Sequence, residues 1–202
     1  MAVINSKDRI IECKIVYYGP GRGGKTTNLE YIFKTGGKYT SGEMISIKTK
    51  GDRTLCFDFL PIGLGKVKGC DVKVQLYTVP GQVKYDSTRR LVLKNVDGVV
   101  FVADSLEIRR KANMRSLKDL QKNLADQRIS IYKIPLVIQY NKRDLGNDGI
   151  PIMPASMMEQ ELNRQLKVPA FESSALKGDG VFDTLKKSIS VMLTHLHKEL
   201  KW

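Results

Sequence analysis

The segment that most constrains the fold of this chain is a glycine-rich loop between a predicted strand and a predicted helix. The strand covers residues 13–18, and the helix begins at Lys25. Their junction reads Gly19-Pro20-Gly21-Arg22-Gly23-Gly24-Lys25-Thr26-Thr27 and matches the G-x-x-x-x-G-K-[ST] pattern in full. Glycines let consecutive backbone N–H groups surround phosphate oxygens, and the N-terminus of the following helix adds positive potential. The loop therefore predicts a phosphate-binding site at a strand–helix junction.

The residues of this loop have separate expected roles. Lys25 would reach the β and γ phosphates of a nucleotide, and the hydroxyl of Thr26 would ligate Mg²⁺. The remaining candidate nucleotide-binding residues of the loop are Gly21, Arg22, Gly23, Gly24 and Thr27. The alternative is a glycine-rich turn with a chance Lys-Thr pair, and the strand–loop–helix setting argues against it.

The rest of the chain alternates short β-branched runs with amphipathic stretches. Predicted strands are residues 13–18, 54–60, 72–79, 98–103, 135–140 and 170–173. Predicted helices are residues 25–33, 105–126, 155–166 and 181–200, with a short helix near 85–93. Such alternation favours a mainly parallel sheet that is covered on both faces. We therefore expect one three-layer α/β domain over residues 1–202, with a six-stranded sheet.

One connection departs from the strand–helix alternation. Residues 61–71 join the strands predicted at 54–60 and 72–79 and are too few for a crossover helix. An antiparallel hairpin is expected there, with one antiparallel strand in the sheet. Residues 36–50 form the main irregular segment, and long ordered loops in compact domains are usually functional.

The composition indicates a globular protein with a basic surface. Hydrophobic residues make up 42% of the chain, which excludes a mainly disordered protein. The 34 Lys and Arg residues exceed the 21 Asp and Glu residues, giving a formal charge of +13, and basic residues are spread evenly along the chain. Both a diffuse positive field and a functional basic patch remain open.

Cysteine usage and targeting signals predict a cytoplasmic chain. The three cysteines are an odd number without CxxC spacing, which is typical of a reduced compartment. The sequence contains no apolar run long enough for a signal peptide or a membrane span, and no motif for a lipid anchor. Membrane contact would then be electrostatic or through a partner.

A second motif follows the strand predicted at 135–140 and reads Asn141-Lys142-Arg143-Asp144. It resembles the NKxD box of GTPases, in which the Asp carboxylate accepts hydrogen bonds from N1 and N2 of guanine. The resemblance implies that Asp144 reads the base, that the Lys142 stem packs over it, and that Asn141 ties the segment to the phosphate loop. Ligands of open α/β sheets gather at the carboxyl ends of strands, where this motif lies.

A third segment, Ser173-Ser174-Ala175-Leu176, resembles the SAK box, whose backbone N–H contacts O6 of guanine. The resemblance makes Ser174, Ala175 and Leu176 candidate nucleotide-binding residues.

Together these motifs make residues 11–200 similar to a Ras-superfamily small GTPase. A closer resemblance is to the MglA family of bacterial Ras-like proteins, which set cell polarity and control gliding or twitching motility. It is carried by residues 17–21, 53–55, 57–61, 76–82 and 139–144. The resemblance implies the P-loop GTPase fold, GTP and GDP as substrate and product, Mg²⁺ as cofactor, and a switch between an active GTP form and an inactive GDP form.

The third GTPase box departs from the common pattern. Most relatives have Asp-x-x-Gly after the third strand, whereas this chain has Thr78-Val79-Pro80-Gly81. Gly81 can still offer its N–H to the γ-phosphate, and Gln82 stands where a Gln orients the attacking water. Asp58 is the candidate replacement for the missing carboxylate, because an acid inside the apolar run 56–60 is costly unless it is paired or near a metal. Asp58 would hold a Mg²⁺-bound water; the alternative is an outward-facing strand residue.

In the second box, the resemblance assigns Thr54 to Mg²⁺ and the γ-phosphate. Arg53 resembles a built-in arginine finger that stabilises charge in the transition state. The alternative is that Arg53 is one more of the 34 basic residues. Arg22 and Gly23 replace the bulkier apolar pair expected in this family's phosphate loop. The resemblance therefore makes no prediction about the rate of nucleotide exchange.

The family picture also implies partners. The GTP form would expose a face of residues 36–82 to polarity or motility effectors, and the usual activating partner is a homodimeric roadblock-type protein, MglB. Partners could recruit the protein from the cytoplasm to a cell pole.

The helix predicted at 105–126 carries a basic stripe of Lys111, Arg115, Lys118 and Lys122. The stripe is either a solvated face or a docking surface for an acidic effector or anionic lipid. The sequence leaves two alternative functions: a GTPase acting on ribosomal RNA or ribosome assembly, and a nearly inactive scaffold. No appended RNA-binding domain is expected from this sequence, which argues against the first function, and Gln82 argues against the scaffold.

Overall fold

The structure is a computed structural model, and it describes residues 3–5, 9–37, 42–48, 56–67, 69–81 and 85–200. These residues form one sheet with helices on both faces, which confirms the predicted three-layer α/β fold. The described strands are β1 (Val3–Asn5), β2 (Ile10–Tyr18), β3 (Ile45–Lys48), β4 (Cys56–Val67), β5 (Cys70–Thr78), β6 (Gly98–Asp104), β7 (Leu136–Asn141) and β8 (Ala170–Glu172). The described α-helices are α1 (Lys25–Thr35), α2 (Asp86–Leu93), α3 (Arg110–Ala125), α4 (Ala155–Met158) and α5 (Val181–Leu200).

The strand order is β3-β4-β5-β2-β6-β7-β8, and β1 pairs with β2 outside this path. The pairs β2–β5, β2–β6, β6–β7 and β7–β8 are parallel. Every residue of β6 is buried, because helices cover both faces of this central strand. The carboxyl ends of β2, β6 and β7 therefore meet at one edge, where the sequence motifs follow.

The sheet differs from the prediction in its number of strands. Among the described residues it has eight strands rather than six, and three antiparallel pairs: β1–β2, β3–β4 and β4–β5. β3 lies inside the segment 36–50 that was predicted to be irregular. Both missed strands, β1 and β3, have at most four residues and pair with only one neighbour. Their stability comes from that pairing rather than from a long apolar pattern of their own, so the sequence signal is weak.

The predicted hairpin is confirmed, but its strands run through the predicted connection. β4 and β5 stay paired as far as Val67 and Cys70, with a register shift between Gly63 and Gly65. Pro61 lies within β4, where a missing N–H is expected to break a central strand. β3 pairs with β4 only as far as Phe59, so beyond that point β4 is an edge strand and tolerates the proline.

Two predicted helices are shorter as α-helices than the sequence suggested. The segment 105–126 begins with a 3₁₀ turn, Glu107–Arg109, before α3. The segment 155–166 is α4 followed by a π-helical turn, Glu159–Asn163. Glu159 accepts a hydrogen bond from the Tyr140 hydroxyl at 2.5 Å, a tertiary contact that periodicity does not reveal. None of the helices in the described part of the chain is long and apolar enough to cross a membrane.

The two helical layers are tied to the sheet in different ways. One apolar core lies under α2, α3 and α4, and the other lies under α1 and α5. Below α1 and α5, Asn28 and Gln139 exchange two amide hydrogen bonds of 2.8 and 3.0 Å. Gln139 also donates to the Thr184 hydroxyl at 3.3 Å. This buried polar network fixes α1, which carries the end of the phosphate loop, to the central strand β7.

We expect Asn28→Ala to lower the free energy of unfolding by about 1–3 kcal/mol, because the buried amide of Gln139 loses the two hydrogen bonds that it shares with Asn28. Urea unfolding followed by circular dichroism measures the change. Glu30→Ala, at an exposed position of the same helix, is the control and should change stability by about 0.5 kcal/mol or less. Equal losses in the two variants would contradict the role of the network.

Candidate functional site

A cavity of about 500 Å³ lies at the carboxyl ends of the parallel strands. It is lined by residues of each motif that the structure describes: Arg22, Gly23, Gly24, Lys25, Thr26, Thr27, Val79, Pro80, Gly81, Asn141, Lys142, Asp144, Leu145, Ala175 and Leu176. Three predicted site residues that the structure describes, Gly21, Asp58 and Ser174, do not line it. Such a cavity at the carboxyl edge of an open α/β sheet is where ligands of this fold class bind.

Close contacts leave no room for a side chain at two glycines of the site. Gly24 has φ +97°, and a Cβ atom there would lie 2.1 Å from Nδ2 of Asn141. A Cβ atom on Gly81 would lie 2.2 Å from the backbone N of Gly21, so the third box packs directly on the phosphate loop. Arg22 also has a positive φ of 61°, which is uncommon for a residue with a side chain.

The side chain of Lys25 contacts the backbone of its own loop. Its buried Nζ donates hydrogen bonds to the carbonyls of Gly19 and Pro20, at 3.0 and 2.7 Å. Burial lowers the pKa of Lys25 to about 7, with Arg89 and Arg109 adding to the decrease and Asp58 opposing it. The loop carbonyls thus hold an amine that is close to losing its charge at neutral pH.

Asp58 faces the phosphate loop from β4. Its side chain is buried and accepts hydrogen bonds from the hydroxyls of Thr26 at 2.6 Å, Ser46 at 2.7 Å and Thr78 at 2.8 Å. The Asp58 N–H donates to the Thr78 hydroxyl at 2.9 Å. The alternative of an outward-facing strand residue is therefore wrong, and the carboxylate lies between the Thr of the phosphate loop and the Thr of the third box.

The oxygen atoms in this cluster suit a hard cation. Mg²⁺ prefers oxygen ligands and is usually held by one or two carboxylates together with phosphates and water. The Thr26 hydroxyl and the Asp58 carboxylate supply that chemistry, so the residues present fit Mg²⁺.

Asn141 joins three parts of the site. Its Nδ2 donates to the Gly23 carbonyl at 2.8 Å, which is the predicted tie to the phosphate loop. Its Oδ1 accepts from the Ala175 N–H at 2.8 Å and from the Ser173 hydroxyl at 3.5 Å. The Ala175 N–H is therefore engaged by Asn141. The Ser174 hydroxyl accepts a hydrogen bond from the Lys177 N–H, so Ser174 shapes the turn behind the cavity.

Sequence reasoning missed Asp104, a fully buried carboxylate at the end of β6. It accepts a hydrogen bond from Nζ of Lys142 at 2.7 Å and lies 3.7 Å from Nε of Arg109. Arg109 in turn donates to the Gly21 carbonyl at 2.7 Å. The sequence could have indicated Asp104, because it directly follows the apolar run 98–103. An acid at the end of such a strand lies at the carboxyl edge of the sheet, where ligands bind.

The predicted residues Arg53, Thr54 and Gln82 lie outside the described residues. Their roles stay predictions. Asp144 lines the cavity beside Lys142, and its base-reading role stays a prediction.

Known proteins resemble this chain over almost its full length. A family model described as "ADP-ribosylation factor family" matches residues 2–192. "Mutual gliding-motility protein MglA" of Myxococcus xanthus is 52% identical over 198 residues, which are 98% of this chain and 99% of that protein. An uncharacterized protein of Methanocaldococcus jannaschii is 26% identical over 179 residues, which are 89% of this chain and 96% of that protein.

The pKa of Lys25 predicts a pH dependence of stability for the ligand-free protein. The pKa is about 7 in the fold and near 10.5 in the unfolded chain. Between these values the unfolded state binds more protons, so stability should rise with pH from about 7 to about 9. Urea unfolding across this pH range measures the slope. Lys25→Met should reduce the rise, and an unchanged slope in that variant would show that another group causes it.

Proposed function

Because this chain belongs to the ADP-ribosylation factor family of small GTPases, we propose that it is a GTP-hydrolysing switch for bacterial cell polarity and gliding or twitching motility. The observation that carries the motility role is the 52% identity to the Myxococcus xanthus protein over nearly the whole of both chains. The proposed domain is the full chain, 1–202. As a member of a small GTPase family, the protein binds GTP and hydrolyses it.

The described cavity supports a specific arrangement of the nucleotide. The phosphates would lie in the loop of residues 21–27, and Asp144 would accept hydrogen bonds from guanine beside Lys142. Asn141 holds the phosphate loop and the Ala175 segment together, so the two halves of the nucleotide meet one rigid frame. When phosphates bind, Lys25 would exchange the carbonyls of Gly19 and Pro20 for phosphate oxygens, and their negative charge would raise its pKa.

The metal site would consist of Thr26, Thr54 and Asp58. The Thr26 and Asp58 oxygens already lie 2.6 Å apart, so the carboxylate stands close enough to orient a metal-bound water. Mg²⁺ would neutralise negative charge on the β and γ phosphates. Thr78, which holds the Asp58 carboxylate, would keep it aimed at Thr26.

Hydrolysis would depend on two side chains and one backbone group. Gln82 would orient the attacking water, and Arg53 would stabilise the charge of the transition state. Gly81 would donate its N–H to the γ-phosphate; its backbone lies against Gly21, at the wall of the cavity.

The proposed partners follow from membership of the small GTPase family and the similarity to the gliding-motility protein. GTP would order the switch face of residues 36–82 for polarity or motility effectors, and a roadblock-type, MglB-like protein would stimulate hydrolysis. Partners would bring the cytoplasmic protein to a cell pole. A ribosomal GTPase is not favoured, because the full-length relative is named for gliding motility.

GTP turnover with and without a roadblock-type candidate protein tests the catalytic roles. Arg53→Ala should lower stimulated hydrolysis on the order of 10³-fold while GDP affinity changes about twofold or less. Gln82→Ala should also lose turnover. Parallel loss of GDP affinity and hydrolysis in Arg53→Ala would overturn the arginine-finger role, and undiminished turnover in Gln82→Ala would overturn the role of the glutamine.

Complementation tests the cellular role. Expression in Myxococcus xanthus lacking its gliding-motility protein should restore gliding, and Asp144→Ala should not. Failure of the wild-type chain, expressed at a normal level, would count against the motility assignment.

The Asp58 proposal predicts a loss of magnesium dependence. In Asp58→Asn, the tightening of GTP binding by Mg²⁺ should fall by about 10–100-fold, while binding in EDTA stays close to wild type. Titration of a fluorescent GTP analogue measures both affinities. Asp71→Asn, at an exposed position of β5, is the matched control. Wild-type magnesium dependence and hydrolysis in Asp58→Asn would remove Asp58 from the metal site.

A further inference from the structure

A second cavity, of about 710 Å³, adjoins the nucleotide cavity and lies between the phosphate loop, α2 and α3. Four arginines line it: Arg22 of the loop, Arg89 of α2, Arg109 before α3 and Arg115 of α3. We propose that this arginine cavity binds an acidic polypeptide segment of a partner protein. The cavity shares Arg22, Pro80 and Gly81 with the nucleotide cavity, but its other ten lining residues do not line that cavity, so the nucleotide does not explain all of it.

Two of the arginines are anchored within the fold. Arg89 pairs with Asp119 at 2.9 Å and with Asp86 at 3.2 Å. Arg109 pairs with the buried Asp104 and holds the Gly21 carbonyl. Asp119 is the one acid among the residues that line the cavity, and it also accepts a hydrogen bond from the Tyr18 hydroxyl. The negative charge of Asp119 is therefore already paired with Arg89.

The other two arginines leave the cavity with excess positive charge. Arg22 and Arg115 are exposed, and neither forms an ion pair with any residue that the structure describes. Arg115 also belongs to the basic stripe of α3, whose members Lys111, Lys118 and Lys122 are exposed as well. The stripe therefore continues the positive surface away from the cavity, and an acidic occupant would meet charge along both.

The shape and chemistry of the wall favour a polypeptide. A planar guanidinium matches a carboxylate with two parallel hydrogen bonds. Between the arginines the wall is formed by Pro20, Pro80, Tyr85 and Ala112, which offer apolar contact to the stems of Glu and Asp side chains. Single-stranded RNA instead requires aromatic platforms for successive bases, and Tyr85 is the one aromatic residue that lines the described cavity.

The test uses the full chain loaded with GDP and a fluorescein-labelled hexaglutamate peptide, followed by fluorescence anisotropy at low salt. Wild type should bind, and Arg115→Glu should weaken binding by about tenfold, since a charge close to the ligand is reversed. Lys186→Glu on α5 makes the same change in net charge on the opposite face of the sheet and should alter affinity about twofold or less. If Arg115→Glu does not fold, Arg115→Gln replaces it; this variant removes the charge without reversing it and should also weaken binding.

Binding of a fluorescent GDP analogue is measured on every variant, so failure of the nucleotide site is distinguished from failure of the arginine cavity. The proposal is overturned if wild type does not bind the peptide, or if Lys186→Glu loses as much affinity as Arg115→Glu. It is also overturned if pyrophosphate displaces the peptide at equal concentration, which would indicate a small phosphate site. If an oligouridine binds more tightly than the peptide, and Arg115→Glu weakens that binding, the ligand of the cavity is RNA and the proposal of an acidic polypeptide is overturned.

Discussion

The site depends on one side-chain amide, that of Asn141. Its Nδ2 holds the Gly23 carbonyl and its Oδ1 holds the Ala175 N–H, each at 2.8 Å. These contacts connect the end of β7 with the loop after β2, 118 residues away, and with the turn after β8, 34 residues away. A phosphate loop needs its N–H groups turned inward before the ligand arrives, and this amide fixes the backbone that presents them. Gly24 has to lack a side chain because Asn141 occupies the space of its Cβ atom.

The second organising contact is the carboxylate of Asp58 on Thr26. Most relatives of this fold are expected to carry the carboxylate after the third strand, where this chain has Thr78. The hairpin register pairs Phe59 with Tyr77, which places Asp58 across from Thr78. A carboxylate on the neighbouring strand thus reaches the same hydroxyl of the phosphate loop. The geometry explains how the third box can lose its acid while an acid stays in the site.

Much of the frame was predictable from residue pattern, and the failures share a physical origin. The strand–loop–helix junction, the buried β6 and the hairpin follow from local spacing, which acts over a few residues. β3 and β1 escaped prediction because each is stabilised by a single neighbouring strand. The π-helical turn at Glu159–Asn163 and the tie between Asp104 and Lys142 depend on groups brought together by the fold. β4 continues through Pro61, past the predicted strand end at residue 60, since proline breaks a strand only where its missing N–H has a partner to lose.

By itself, the sequence determined the glycine-rich loop motif, the motif of residues 141–144, the α/β class and the family resemblance, because each is carried by local patterns of residues close in the chain. It also determined the formal charge of +13, but not which basic residues lie together on the surface. Only the tertiary structure decided that Arg22, Arg89, Arg109 and Arg115 face one cavity and that Asp58 faces Thr26. The physical reason is that electrostatic and hydrogen-bond energies depend on distance in space, and parallel pairing of β2 with β5 and β6 sets those distances.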